Sequence, residues 1–280
     1  MKILVLGHKG MLGTDLVADL ERTYDVIGKD IDDFNIASPS ECSDLIGESG
    51  ADVVINAAAY TNVDGCETDE DRSFSVNAGG VRNVALACRE SGIKLVHFST
   101  DYVFDGRKET PYVEDDDCNP INAYGRSKLE GEKGLREILD EYLLIRTAWL
   151  YGRHGRNFVG AIVDKANETG KLEVVDDQTG SPTYTVDLAA AVRTLVEGGH
   201  RGIFHVTNRG TCTWYQFALK ILEYKGMKDI SVTPIRSMQL KRAASRPAYS
   251  VLSCRKFADA TRRTMRFWQI ALEEYMTRIG

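Results

Sequence analysis

Tyr124 and Lys128 are the residues whose types and spacing most directly indicate chemistry in this chain of 280 residues. They stand four positions apart, so on a helix they share one face and lie one turn from each other. A nearby cation favours the charged form of a phenol and therefore lowers its pKa from the ordinary value of about 10. The pair predicts a tyrosine that exchanges a proton near neutral pH.

Thr100 supplies a third group for the same chemistry. It follows the apolar run 94–98, which predicts a strand that delivers the hydroxyl to the carboxyl edge of a sheet, where open α/β sheets bind ligands. Thr100, Tyr124 and Lys128 together could protonate a carbonyl oxygen as it receives a hydride. The Tyr-x-x-x-Lys spacing also arises by chance, and a helical tyrosine more often packs than reacts, so the interpretation depends on a second signal.

That second signal lies near the amino terminus, where the apolar run 2–6 leads into Gly7, Gly10 and Gly13. Gly7 permits a tight turn, Gly10 lets the backbone approach a pyrophosphate, and Gly13 lets the following helix lie close to the strand. The helix amino terminus then presents free N–H groups to the phosphates. Strand, glycine turn and helix in this order predict a dinucleotide-binding unit.

Asp30 bears on which dinucleotide is bound. It follows the second strand candidate, residues 24–28, at about 20 residues past the glycine turn, where an acid accepts hydrogen bonds from the adenosine ribose of NAD. Lys29 and Lys9 lie nearby and could instead neutralise the additional phosphate of NADP. The sequence leaves NADPH and NADH open.

The elements that must position these groups alternate between residues 4 and 146. Strand candidates at 53–56, 95–99 and 143–146 are separated by helical stretches such as 76–91. This alternation predicts an α/β fold with a Rossmann-type, doubly wound parallel sheet. A chain of 280 residues is long for one compact unit and permits a second, smaller domain.

Composition narrows the class of protein. The formal net charge of −6 argues against a nucleic-acid surface. No apolar run reaches membrane-spanning length, and the chain enters a strand at once instead of a signal peptide, so we expect a cytoplasmic protein without a membrane partner. The six cysteines and five histidines show no metal-like spacing, which predicts buried thiols and no metal site.

Several sequence blocks, taken together, resemble one known family. The blocks are Gly7 to Gly13, Asn56 to Asp64, Ser99 to Phe104, Tyr124 to Lys128, Arg146 to Trp149 and Asp177 to Thr183, followed by Arg246, Pro247, Ser250, Trp268 and Leu272. They are similar to those of the dTDP-4-dehydrorhamnose reductases, which are extended short-chain dehydrogenases/reductases. The resemblance spans nearly the whole chain.

The resemblance implies where a cofactor would bind. Gly7, Gly10, Met11 and Leu12 would contact the pyrophosphate turn, Asp30 the ribose, Asn35 and Ile36 the adenine, and Ala59, Tyr60 and Thr61 the nicotinamide half. Asn35 stands where the family usually has an aspartate, which weakens that contact without removing its capacity to form hydrogen bonds.

It also implies the reaction and the substrate contacts. NADPH or NADH would reduce the C4 keto group of dTDP-4-dehydro-β-L-rhamnose to give dTDP-β-L-rhamnose. Tyr124 would donate the proton, Thr100 would hydrogen-bond the same oxygen, and Lys128 would stabilise the phenolate and bind the nicotinamide ribose. The remaining substrate contacts would be Val63, Asp101 and Trp149 at the hexose and Arg246 at the diphosphate.

The family's topology implies the domain arrangement. Residues 1–150 would form the NAD(P)-binding domain, with a return of about 183–200 that contains a helix at 186–197. Residues 151–280 would form most of an α/β substrate domain with helices at 213–223 and 267–277, the first capped by Thr213. Some members bind magnesium between subunits, but Val186 replaces one of the acids, so no metal is predicted; the chain would be a monomer or a homodimer.

Three alternatives remain open at this stage. A nucleotide-sugar 4,6-dehydratase or epimerase shares Tyr-x-x-x-Lys, but dehydratases typically follow the threonine with Asp-Glu, whereas Thr100 precedes Asp101 and Tyr102. Another 4-keto sugar is equally compatible with these motifs. The third alternative is the regulatory subunit of methionine adenosyltransferase, which holds NADP without clear turnover. Intact Thr100, Tyr124 and Lys128 do not exclude it, because regulatory descendants can retain catalytic side chains. Trp214 either stacks on a base or belongs to the core.

Overall fold

The computed structural model describes residues 1–279. The strands are β1 (Lys2–Leu6), β2 (Asp25–Lys29), β3 (Val53–Asn56), β4 (Lys94–Thr100), β5 (Tyr142–Thr147), β6 (Leu150–Tyr151), β7 (Lys171–Val175), β8 (Thr179–Gly180), β9 (Thr183–Tyr184), β10 (Gly202–His205), β11 (Cys212–Thr213) and β12 (Ser231–Ile235). The helices are α1 (Met11–Leu20), α2 (Pro39–Ser49), α3 (Val63–Thr68), α4 (Glu70–Phe74), α5 (Val81–Ser91), α6 (Ala123–Ile138), α7 (Phe158–Thr169), α8 (Thr185–Glu197), α9 (Trp214–Lys225), α10 (Arg255–Thr261) and α11 (Trp268–Ile279).

A six-stranded parallel sheet has the order β10-β5-β4-β3-β1-β2. Most of its strands are short apolar segments because helices cover both faces of the sheet, as is usual for parallel sheets. Ile3 and Val5 of β1 face the core shared with α1 and α8, whereas Leu4 and Leu6 face the core shared with α2 and α5. The doubly wound α/β fold predicted from the alternation is confirmed.

A second hydrophobic core lies outside the sheet. It is formed by α7, α9 and α11 packed with the two-stranded parallel ribbon of β7 and β12. Thr213 caps α9 through a reciprocal capping box with Gln216, as its position in the sequence predicts. The observed α8 and α11 agree with the helices expected near 186–197 and 267–277.

The sheet also takes in β10, which lies beyond the return segment of about 183–200 expected from the sequence. The division into a cofactor domain and a substrate domain stays a prediction. Among residues 1–279, none of the helices is both long enough and apolar enough to cross a membrane.

The helix expected at 76–91 is interrupted in the structure. Residues Ser75–Gly80 form a π-helical segment, and regular α-helix begins only at Val81. The Asn77 side chain explains the interruption, because its amide binds both the N–H and the carbonyl of Tyr60 and also reaches the Ser127 hydroxyl. Such π-helical turns are frequent at functional sites.

The close packing of α6 on this π-helical segment gives a stability prediction. A Cβ at Gly131 would overlap the Asn77 carbonyl oxygen, whereas a Cβ at Gly160 in α7 would meet nothing within 4 Å. Overpacking of this kind costs about 1 to 3 kcal/mol, and a helix-interior Gly to Ala change in open space stabilises by up to about 1 kcal/mol. We expect Gly131→Ala to lower the free energy of unfolding in urea and the matched control Gly160→Ala to keep or raise it. Equal effects of the two variants would contradict the assigned close contact.

Candidate active site

A cavity of about 450 Å³ opens at the carboxyl edge of the sheet, where β1, β3, β4 and β5 end. Chain order reverses between β1 and β3, and open α/β sheets bind ligands at such a switch point. The cavity brings together many of the residues that the sequence predicted. Those that line it are Gly10, Met11, Leu12, Ala59, Thr61, Val63, Thr100, Asp101, Tyr124, Lys128 and Trp149.

The beginning of α6 places Tyr124 in this cavity. Asn122 caps the helix by accepting from the Gly125 N–H at 2.7 Å, and its amide donates to the Ser245 carbonyl at 2.7 Å. Gly125 allows the helix to approach the turn after β4, because a Cβ there would overlap the Tyr102 carbonyl oxygen. The local sequence Asn-Ala-Tyr-Gly thus fixes both the start of α6 and its distance from Thr100.

The pKa of the Tyr124 phenol is raised in the structure, whereas the sequence predicts a lowered value. Burial is the main cause, and the negative charge of Asp101 acts in the same direction. Lys128 does not reverse the shift, since its Nζ is directed at the sheet and donates to the Phe98 carbonyl at 2.7 Å. The phenol therefore keeps its proton at neutral pH.

Lys128 is 2% exposed and belongs to a buried polar chain. Its Nζ lies 3.4 Å from His97 Nε2, and His97 Nδ1 lies 3.3 Å from Asn56 Nδ2. Asn56 Oδ1 accepts from the Ala58 N–H at 3.1 Å, which leaves the Asn56 amide group to donate to His97. Burial lowers the pKa of Lys128 to about 8, an effect that Glu132 opposes.

This pattern also assigns the proton of the buried imidazole. Burial, and then the Lys128 charge, hold the pKa of His97 well below its ordinary value, so the ring is neutral. Because His97 Nδ1 accepts from Asn56, the single ring proton lies on Nε2 and faces Lys128. A pKa of about 8 leaves Lys128 mostly charged at neutral pH, so its ammonium donates to the Phe98 carbonyl rather than to His97.

A buried ion pair anchors the middle of α6 to the sheet. Arg146 donates to Glu132 through Nε at 3.0 Å and Nη2 at 2.7 Å, and both side chains are buried. Glu132 lies four residues after Lys128 on the same helix. The pair therefore holds the helix that carries Tyr124 and Lys128 against β5.

Thr100 and Asp101 form a second polar group beside Tyr124. Thr100 Oγ1 donates to Asp101 Oδ1 at 3.0 Å, and the Tyr102 N–H donates to Thr100 Oγ1 at 3.2 Å. The other carboxylate oxygen of Asp101 is buried and makes no hydrogen bond within residues 1–279. Burial raises the pKa of Asp101 to about 7.

The glycine turn has the shape that a dinucleotide requires. Gly7 has φ 79°, and a Cβ there would lie 2.7 Å from the Ala58 nitrogen, so only glycine fits between the ends of β1 and β3. Gly10 begins α1 without a side-chain cap and without acids in the first turn, so the N–H groups at the cavity are available to a phosphate. The residues present therefore fit a bound pyrophosphate.

Asp30 lies beside the glycine turn, outside the cavity lining. Its carboxylate accepts from the Lys9 N–H at 2.8 Å and from the Ile31 N–H at 2.8 Å. The Lys9 and Lys29 ammonium groups are paired with Asp32 at 2.7 Å and Asp33 at 3.7 Å. The two lysines considered for the NADP phosphate thus already have carboxylate partners.

Other predicted residues also lie away from the main cavity. Tyr60 is not part of the cavity lining, and the Arg72 guanidinium lies over its ring at 4.8 Å. Asn35 Oδ1 accepts from the Ala37 N–H, and Ile36 is buried. Arg246 pairs with Asp64 at 2.8 Å beside a smaller cavity of about 260 Å³ that Arg242 also lines.

Part of the lining was not predicted from the sequence: Ser99, Thr147, Ala148 and Arg156 contribute to the cavity. Trp214, for which the sequence left stacking and core packing open, reaches the cavity from α9 and also packs against a hydrophobic core. Ser99 and Thr147 lie at the ends of β4 and β5, so their place at the carboxyl edge was available as a signal. No group of three or more potential metal-ligating side chains occurs within residues 1–279.

The buried ion pair yields a prediction about α6. Removing one partner of such a pair leaves an uncompensated charge and costs about 3 to 5 kcal/mol. We expect Glu132→Gln to lower the free energy of unfolding in urea by that order. Glu130→Gln is the matched control, because Glu130 lies on the same helix in an exposed pair with Lys133 and such pairs contribute about 0 to 1 kcal/mol. A loss in Glu132→Gln no larger than in the control would contradict the anchoring role.

The chain is similar to known proteins of one family. The chain matches the RmlD substrate binding domain family over residues 1–280. It is 40% identical to the dTDP-4-keto-6-deoxy-D-glucose reductase of Streptomyces niveus over 97% of this chain and 95% of that protein. It is also similar to the crystal structure of a dTDP-4-dehydrorhamnose reductase from Clostridium acetobutylicum, with 40% identity, a TM-score of 0.96 and coverage of 100% and 99%.

A further solved structure is equally similar in fold. The dTDP-4-dehydrorhamnose reductase of Bacillus anthracis, solved in complex with NADP, has 37% identity, a TM-score of 0.96 and coverage of 99% of both chains. The resemblance drawn from the sequence blocks is thereby confirmed. The chain belongs to the dTDP-4-dehydrorhamnose reductase family of oxidoreductases.

Proposed function

We propose that this chain reduces the C4 keto group of a dTDP-4-dehydro sugar, and specifically that of dTDP-4-dehydro-β-L-rhamnose, with NADPH or NADH. The observation that carries the proposal is that Thr100, Tyr124 and Lys128 line the same cavity as the uncapped start of α1. The proposed proton donor and the turn that would bind the dinucleotide pyrophosphate therefore line the same cavity.

The known relatives support the substrate class and the cofactor. The names of the relatives refer to keto sugars carried on dTDP, and the Bacillus anthracis enzyme was solved with NADP. In this chain Gly10, Met11 and Leu12 would hold the pyrophosphate, and Lys128 would bind the nicotinamide ribose. When bound, the reduced nicotinamide supplies the hydride.

Tyr124 is the proposed proton donor. Burial and the Asp101 charge raise its pKa, so the phenol is protonated at neutral pH and can pass its proton to O4 of the sugar. The phenolate left behind is costly in this buried setting. Lys128, one turn along α6, would offset that cost, and Thr100 would hydrogen-bond the same O4.

The remaining cavity residues would hold the sugar nucleotide. Val63 and Trp149 offer apolar surface to the hexose, and Asp101 has a buried carboxylate oxygen that makes no hydrogen bond within the described residues. Arg242 and Arg246 lie at the second cavity, and an arginine fork suits a diphosphate. Arg246 is engaged by Asp64, so it would offer only its remaining donors.

A different keto sugar is the second candidate substrate. The Streptomyces niveus and Clostridium acetobutylicum relatives have the same identity to this chain, 40%, although their names refer to different sugars. A pocket difference of one methylene changes specificity by only about 1 to 3 kcal/mol.

Cytoplasmic location and a monomeric or homodimeric state stay predictions of the sequence.

The proposal is tested directly by measuring the oxidation of NADPH and of NADH as a loss of nicotinamide absorbance. We expect stoichiometric oxidation with dTDP-4-dehydro-β-L-rhamnose and formation of dTDP-β-L-rhamnose, at a higher kcat/KM than with dTDP-4-keto-6-deoxy-D-glucose. The reverse ranking would overturn the proposed sugar and keep the reaction class. Binding of NADPH without oxidation by either sugar would favour the non-catalytic regulatory function instead.

Substitution of the proposed donor gives a sharper test of the mechanism. Tyr124→Phe removes the proton and keeps the ring, so we expect kcat to fall by about 10²- to 10⁴-fold while the Kd for NADPH stays unchanged. Tyr102→Phe is the matched control, because this second phenol lines the same cavity with its ring 6.0 Å from that of Tyr124. A near-normal kcat in Tyr124→Phe would remove Tyr124 as the acid.

A further inference from the structure

Trp214 completes an aromatic stack at the edge of the main cavity. Its ring lies parallel to that of Trp149, with centroids 3.5 Å apart and an interplanar angle of 6°. Phe158 packs beside the Trp214 ring with centroids 4.5 Å apart. Both tryptophans line the cavity, although they are 65 positions apart in the sequence.

The Trp149 indole is confined by two neighbours. Trp214 stacks on one face of the ring, and the Gly180 backbone lies so close to the indole that a Cβ there would overlap ring atoms. Trp149 also has φ 49°, a left-handed backbone conformation that is uncommon for a bulky residue. Trp214 and Gly180 therefore restrict how the Trp149 ring can turn at the cavity.

A buried amide holds Trp214 in turn. Trp214 Nε1 donates to Gln178 Oε1 at 3.2 Å, and Gln178 Nε2 donates to Ser237 Oγ at 2.7 Å. Ser237 Oγ donates to Asp177 Oδ1 at 2.5 Å. Gln178 and Ser237 also line the second cavity, the one beside Arg242. The stack is therefore tied to the segment that carries the arginines.

We propose that Trp214 is a positioning residue for the sugar substrate, because it sets the orientation of the Trp149 ring beside the hexose. The inference rests on the proposed function and deepens it. Without the Trp214 ring, Trp149 would lose the aromatic surface that stacks on it, and its indole could turn away from the sugar. Gln178 supports this role because it accepts a hydrogen bond from the Trp214 indole N–H.

Four variants test this role. Trp214→Leu removes the ring, Trp214→Phe restores a ring without the N–H, and Gln178→Met removes the hydrogen bond while it keeps all rings. Trp268→Phe is the control, since Trp268 is buried in the second core outside the cavity lining. For each variant, KM for the sugar nucleotide, kcat, the Kd for NADPH and the free energy of unfolding are measured.

We expect Trp214→Leu to raise KM for the sugar nucleotide about tenfold, as the loss of one aromatic pair allows, with kcat and the Kd for NADPH unchanged. Trp214→Phe should recover most of that loss, Gln178→Met should fall between them, and Trp268→Phe should keep the wild-type KM. A KM in Trp214→Leu within about twofold of wild type would overturn the role, because no binding to the substrate would have been lost.

Two further outcomes separate this inference from the proposed function. A rise in the Kd for NADPH equal to the rise in KM, or no recovery in Trp214→Phe, would show a general structural effect and overturn the positioning role alone. Absence of turnover in the wild-type protein, with NADPH bound, would overturn the proposed function and the role of Trp214 with it.

Discussion

The buried ammonium group of Lys128 is the constraint on which the rest of the site depends. A charged group on a side chain that is 2% exposed requires a partner of its own, and the structure supplies the Phe98 carbonyl from β4. Glu132, one turn further along α6, is held by Arg146 from β5. Two neighbouring strands therefore fix the depth and rotation of α6, and with it the place of Tyr124.

This arrangement explains why α6 contains glycines despite their cost in a helix interior. Gly125 admits the Tyr102 carbonyl, and Gly131 admits the Asn77 carbonyl, at positions where a Cβ would overlap each oxygen. A helix with side chains at both positions would lie further from the turn after β4 and from the Ser75–Gly80 segment, and the shift would endanger the short contact of Lys128 with the Phe98 carbonyl. The glycines and the buried ammonium group therefore depend on the same close packing of α6.

The sequence was most informative where the determinants are local. The glycine turn after β1 and the Tyr124 to Lys128 spacing on α6 depend on neighbours within a few positions, and the structure places them as expected. The interruption at Ser75–Gly80 could not be predicted, because it depends on hydrogen bonds from Asn77 to distant residues. The pairing of Arg246 with Asp64, 182 positions earlier, belongs to the same class.

The direction of the pKa shift of Tyr124 also could not be predicted from the local sequence, because it depends on burial. Spacing alone brings a cation near the phenol, but burial favours the uncharged form of the ionisable groups that it covers. It raises the pKa of Tyr124 and of Asp101, and it lowers that of Lys128. The proposed proton donation by Tyr124 would therefore create a charge that the buried surroundings of the phenol oppose. The ammonium of Lys128 would then act on the product of that proton transfer more than on the resting phenol.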